Sequence, residues 1–141
     1  MVVPGVGRQS GGMKGIRDGT PRRELPVQRL ARAFEGAVKE LLHRVGSGID
    51  DDLRDQLTRA ASSVLLNLNE AVSHETRRQK LHFFRIAKGS LGECLGALHS
   101  DTIRRAARGA PAREALRLAR NHGSQLMGQL ARLTRYFSRF T

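Results

Sequence analysis

Apolar side chains recur at steps of three and four along most of this chain, the period of an amphipathic helix. The last thirty residues show it most clearly. Leu116, Ala119, Gly123, Leu126, Leu130, Leu133, Phe137 and Phe140 fall along one side, and Arg113, Arg117, Arg120, Arg132, Arg135 and Arg139 fall on the other. The same spacing predicts a first helix over Pro26–Val45, with Val27, Leu30, Phe34, Val38, Leu41 and Val45 as its buried stripe. Pro26 is tolerated in a first turn, and the GSG at 46–48 ends the helix. A second helix opens at residues 50–52, where an Asp cap and two further acids suit the positive end of the helix dipole. Leu53, Leu57, Ala60, Val64, Leu68 and Ala71 form its stripe. Ala61, Leu65, Leu66 and Val72 lie off that line, so this helix is either the most enclosed or also faces another subunit.

After a break at 73–76, a third helix carries Leu81, Phe84, Ala87, Leu91, Leu95 and Leu98. Gly89, Gly92 and Gly96 within it each cost about 1 kcal/mol relative to Ala, and close approach of a neighbouring helix is the simplest compensation. Residues 99–109 either extend this helix or connect it to a fourth that starts at the GAP of 109–111. The expected fold is all-α: four helices on short connections imply an antiparallel up-and-down four-helix bundle over residues 25–141. Residues 1–24, rich in Gly with two Pro and scattered Arg, have no periodicity and read as a disordered basic arm. Their first stretch, MVVPGVGRQSGG, is broken by Gly and Pro, so no signal peptide is expected, and Met13 offers an alternative start.

Composition supports helices over sheet. Aromatic residues make up 4% of the 141 residues, and a sheet favours them along with β-branched residues. The one cysteine, Cys94, leaves no internal disulfide and points to a reducing compartment, with the cytoplasm as default. It sits one residue from the Leu95 core position, which suits a buried, inert thiol. No apolar run reaches the ~20 residues that span a bilayer, so no membrane partner is expected.

Charge changes the picture more. The balance is 25 basic against 13 acidic residues, formally +12. The segment 50–73 sums to −3 (two basic, five acidic), 74–98 to +3 (five basic, two acidic) and 111–141 to +5 (six basic, one acidic). Positive charge therefore gathers on the third and fourth helices and the turn between them. That favours a polyanion, with nucleic acid, RNA or DNA, the leading candidate. The expected contacts are Arg77, Arg78, Lys80, Arg85 and Lys88 on the third helix, and Arg104, Arg105 and Arg108 in the connection. Arg113, Arg117, Arg120, Arg132, Arg135 and Arg139 continue them on the fourth. With Tyr136 the only Tyr, binding should run through phosphates and select weakly for sequence.

Within residues 53–98, Leu53, Arg54, Gln56, Arg59, Ala60, Ser63, Asn67 and Glu70 are followed by Phe84, Ile86, Ala87, Gly89, Ser90 and Glu93. At that spacing the segment resembles the bacterial four-helix-bundle proteins of the ribosomal RNA intervening-sequence family. It departs from the pattern at Asn69 and Ala71, where the family usually has Ala and Gly. The resemblance implies an antiparallel bundle that often assembles into a ring, commonly a pentamer. A related branch, the accessory protein of diversity-generating retroelements, works with a reverse transcriptase and its RNA. The wide apolar side of the second helix and the glycines of the third add the expectation of a homo-oligomer. Asn67, Glu70, Ser90 and Glu93 are expected to make interhelical hydrogen bonds.

Signals for catalysis are missing from the pattern. A di-iron bundle needs two E-x-x-H pairs, and only Glu40–His43 has the spacing. His43, His74, His82, His99 and His122 are scattered, so no metal is expected, and no phosphate loop or dinucleotide fingerprint implies a cofactor. His122, beside the apolar stripe, reads as a packed or interface histidine. The chain is expected to be no enzyme. Two functions stay open: nucleic-acid binding, and an adaptor whose arginines meet an acidic protein.

Overall fold

The computed structural model describes residues 16–17, 20–21 and 23–139. Most of the arm expected to be disordered, and Phe140 of the last stripe, lie outside the described residues. Within the arm, the backbones of β1 (Ile16–Arg17) and β2 (Thr20–Pro21) pair antiparallel, Ile16 opposite Pro21. An Asp-Gly pair separates them in the sequence, the usual composition of a two-residue hairpin loop. The rest is helical: α1 (Pro26–Val45), α2 (Asp51–Ser73), α3 (Arg77–Leu98), the short α4 (Asp101–Ala106) and α5 (Gly109–Ser138).

Local chemistry accounts for the boundaries. The backbone N–H of Leu25 donates to Gln28 Oε1 at 2.9 Å, satisfying one free donor where α1 begins. Gly46 ends the helix at φ +53°, a region where a side chain is strained. Asp50 Oδ1 accepts from the Leu53 N–H at 2.8 Å and starts α2. Thr76 starts α3 in the same way at 3.1 Å, and Ser100 starts α4 at 3.3 Å. Residues 101–106 thus form a separate short helix inside the connection, which does not extend α3. Ile103, fully buried, pins that turn to the core.

The C-terminal ends share one device. Arg54 of α2 donates to the carbonyls of Leu42, at 2.9 Å, and Gly46 at the end of α1. Lys80 of α3 donates to the carbonyls of Ala71 and Val72 at 3.2 and 3.1 Å, closing α2. Arg120 of α5 donates to the Leu98 carbonyl at 3.0 Å, closing α3. In each case a cation from a later helix meets the negative end of an earlier one, the favourable sign for the dipole.

α1 packs against α2 and α5, and α3 packs against the same two. The core between them is built from Phe34, Leu41, Leu57, Leu68, Leu91, Leu98, Ile103, Leu126 and Leu130, all under 2% exposed. Across α1 and α2, Gln28 bonds Asn69 (2.9 Å), Glu35 bonds Ser62 (2.7 Å) and Arg54 bonds the Leu42 carbonyl. Asn69, one of the two departures from the family pattern, thereby ties the start of α1 to the end of α2. Ala71, the other, is fully buried.

Several side chains sit differently from the sequence expectation. Ala61, Cys94 and Thr134 are buried, while their neighbours Ala60, Leu95 and Leu133 are only half-buried. The 3.6-residue period drifts against a stripe written in steps of three and four, so a core position can slip by one. Gly89, Gly92 and Gly96 do not permit a close helix approach within the chain, because a Cβ at any of them would meet nothing within 4 Å. They lie off the buried line of Phe84, Ala87, Leu91, Cys94 and Leu98. The close approach is at Gly123 of α5, where a Cβ would stand 2.6 Å from Leu95 Cδ2 and 2.9 Å from Phe34 Cε1.

Of the four polar residues expected to bond between helices, Ser90 does so, its Oγ 2.8 Å from Ser63 Oγ. Asn67 bonds within its own helix, donating to the Ser63 carbonyl at 2.9 Å and to Ser63 Oγ at 3.1 Å. Glu70 and Glu93 are exposed, with Glu70 3.4 Å from His74. His122 is half-buried, and its Nδ1 has no hydrogen-bond partner among the described residues. Burial, then the charge of Glu93, pushes the Cys94 thiol up to about 12, leaving it protonated and unreactive at neutral pH.

Candidate nucleic-acid interface

Half of the sequence-predicted cations line two clefts, one between α3 and α5 and one where α4 meets α5. In the first, Arg85 and Lys88 stand one turn apart on α3, facing Arg135 on α5. Gly89 supplies a wall without a side chain, and Met127, Thr134 and Ser138 complete a concavity of about 520 Å³. Among the described residues, Arg85, Lys88 and Arg135 make no ion pair.

The second cleft, of about 490 Å³, lies where α4 turns the chain back onto α5. Arg104 of α4 and Arg113, Arg117 and Arg120 of α5 line it. Arg104 pairs with Asp101 at 3.1 Å, and Arg117 forks onto Glu114 through Nε and Nη2 at 2.9 and 2.6 Å. Those bonds hold the Glu114 carboxyl below the usual carboxylate range and push the Arg117 guanidinium up. Arg120 is half-buried with its Nε on the Leu98 carbonyl. Arg120 and Arg135 are fifteen residues apart on α5, which at 1.5 Å per residue is about 22 Å. That length spans roughly six phosphates of one strand of duplex.

The remaining predicted contacts are dispersed. Arg105 stands 3.8 Å from Asp101, and Lys80 is committed to the end of α2. Arg77 and Arg78 are exposed in the first turn of α3. Arg108 is exposed just before α5, and Arg132 and Arg139 are exposed on its outer side. His99, Asn121 and Ser124 also line the second cleft. Sequence reasoning missed them because only the α4 turn brings them beside Arg104.

A third groove, about 590 Å³ between α2 and α3, is lined by Gln56, Arg59, Ser63, Ser90, Gly92, Glu93 and Gly96 among others. Arg59, Ser63, Ser90 and Glu93 are among the residues that carry the family resemblance, so part of that signature faces a groove instead of the core. Among the described residues, no group of three or more His, Cys, Asp or Glu could hold a metal ion, and no helix is long and apolar enough to cross a membrane.

These features define a helical protein with a leucine-rich interior and two cationic clefts along α5. Residues 23–106, more than half of the chain, match the family described as 23S rRNA-intervening sequence protein, and the chain belongs to that family. The match ends at the last residue of α4, so α5 and its arginines lie beyond it. Neither the curated proteins nor the solved structures contain a match.

Proposed function

We propose that this chain is a non-enzymatic, basic four-helix-bundle protein that binds nucleic acid through phosphate contacts along the α3–α5 seam. The observation that carries the reading is the convergence of Arg85, Lys88 and Arg135 on one concavity with no carboxylate partner among the described residues. Cations held together in a cleft reinforce one another's field and attract a polyanion. The family's printed name refers to 23S rRNA, which makes RNA the polymer to try first. Tyr136 is the only exposed aromatic among the described residues large enough to stack on bases beside its neighbour Phe137, so selectivity for sequence should be weak.

The finer architecture in this proposal is antiparallel and up-and-down. Supporting it, residue numbers fall along one helix as they rise along its neighbour: 28 with 69, 35 with 62 and 42 with 54 across α1 and α2. The pairs 63 with 90 and 71 with 80 repeat the pattern across α2 and α3. Assembly into a homo-oligomer is supported by Leu66, 64% exposed on α2, and by the open glycine side of α3. A pentamer and a reverse transcriptase partner rest on the resemblance alone.

Filter binding to RNA and DNA between 50 and 200 mM salt, the range over which phosphate binding collapses, tests the reading. Affinity should fall steeply with salt, and Arg85→Ala, Lys88→Ala and Arg135→Ala should each reduce the log–log slope by about 1. No affinity at 50 mM, or a flat profile, refutes it. The adaptor reading is favoured by the exposed Leu66, an apolar contact that phosphate would not use. It predicts an acidic protein retained in pull-downs after nuclease treatment.

A further inference from the structure

The cleft beside α4 differs in kind from the open one around Arg85. Three of its guanidiniums already hold a partner: Arg104 bonds Asp101, Arg117 bonds Glu114 and Arg120 bonds the Leu98 carbonyl. A guanidinium has five N–H donors, so each keeps some for a ligand while its orientation is already restricted. Ordering already present before binding lowers the entropy lost on binding. Arg113 makes no ion pair among the described residues and faces the same space.

Charge then narrows the ligand. Four guanidiniums against the carboxylates of Asp101 and Glu114, with Arg105 also 3.8 Å from Asp101, leave a formal surplus of at least two positive charges. A phosphodiester inside a strand carries one negative charge. A phosphate monoester carries about −1.5 to −2 at neutral pH and offers three acceptor oxygens. The surplus and the number of guanidinium forks match the monoester better. The volume of about 490 Å³ lies within the roughly 300–1,000 Å³ of small-ligand sites, which leaves room for the attached nucleoside. Leu116 gives that nucleoside an apolar wall, and Asn121 an amide able to pair with a base edge.

We infer that the α4–α5 cleft seats a phosphate monoester carried by a nucleoside, at the end of a nucleic-acid strand or as a free nucleotide. The inference rests on the nucleic-acid reading above and assigns one of the two clefts a more selective role within it.

Filter binding with one RNA oligonucleotide in three end states, 5′-phosphate, 3′-phosphate and unphosphorylated, tests it, alongside calorimetric titration with adenosine monophosphate. One phosphorylated end should bind about tenfold or more tightly than the unphosphorylated strand, the value of one charged hydrogen bond. Arg113→Ala should bring that ratio to one, while Arg135→Ala should weaken all three strands and preserve it. An end preference without heat from the mononucleotide identifies the strand terminus as the source. Heat that Arg113→Ala abolishes, without an end preference, identifies the free nucleotide. Equal, salt-sensitive binding of all three strands with no such heat overturns this inference and leaves the nucleic-acid reading standing. Failure of every strand to bind at 50 mM salt overturns the reading itself.

Discussion

Gly123 and Gly36 offer a test of the packing in which intrinsic helix preference cancels. Both lie inside long helices, so replacing either with Ala should gain about 1 kcal/mol from backbone preference. At Gly36 the new methyl would meet nothing within 4 Å, and that gain should appear in full. At Gly123 it would stand 2.6 Å from Leu95 Cδ2 and 2.9 Å from Phe34 Cε1, well inside the 3.5–4.0 Å at which carbon atoms attract. Leu95 is half-buried and can swing aside, but Phe34 is fully enclosed and cannot move without displacing its neighbours. Overpacking of this kind costs about 1–3 kcal/mol, so Gly123→Ala should end between neutral and about 2 kcal/mol less stable. The difference between the variants isolates the steric cost. With a urea slope of about 1–3 kcal/mol/M, their midpoints, followed by circular dichroism, should separate by roughly 1 M. If the two midpoints shift upward together, α5 does not approach α1 and α3 as described.

Three further outcomes follow from the same structure. Asp50→Ala should cost about 1 kcal/mol by removing the cap on α2, measured in the same urea titration, and an unchanged midpoint would remove Asp50 from that role. Cys94 should resist alkylation at pH 8 in the native protein and react readily in denaturant. Because the folded thiol keeps its proton to about 12 and the unfolded one releases it near 9.0, its contribution to stability is complete below pH 9 and lost as pH rises toward 12. Cys94→Ala should flatten that part of the decline, and an identical alkaline profile would contradict the assignment.

The ends of α1 and α2 were legible because Pro26, the GSG of 46–48 and Asp50 each act within a few residues of themselves. α4 was not, since six residues show no periodicity, although Ser100 and the buried Ile103 carry its cap and its anchor. The glycines were misread for a related reason. Spacing shows that a glycine lies in a helix but not what stands opposite, so the open trio on α3 looked more meaningful than Gly123 at the centre of its stripe. The arginines of α5 were legible as outward-facing. Their division into two clefts depends on the α4 turn, and no local pattern encodes it.

The cations at the helix ends carry a consequence of their own. Arg54, Lys80 and Arg120 hold successive turns of the backbone like rivets, so part of this chain's basicity is architectural, and at Arg54 and Lys80 it offers nothing to a visitor. A lineage could bleach its outer positive charge residue by residue and keep its shape, provided those three stayed. Trading Arg54 or Lys80 for a neutral side chain would loosen a corner instead of a grip.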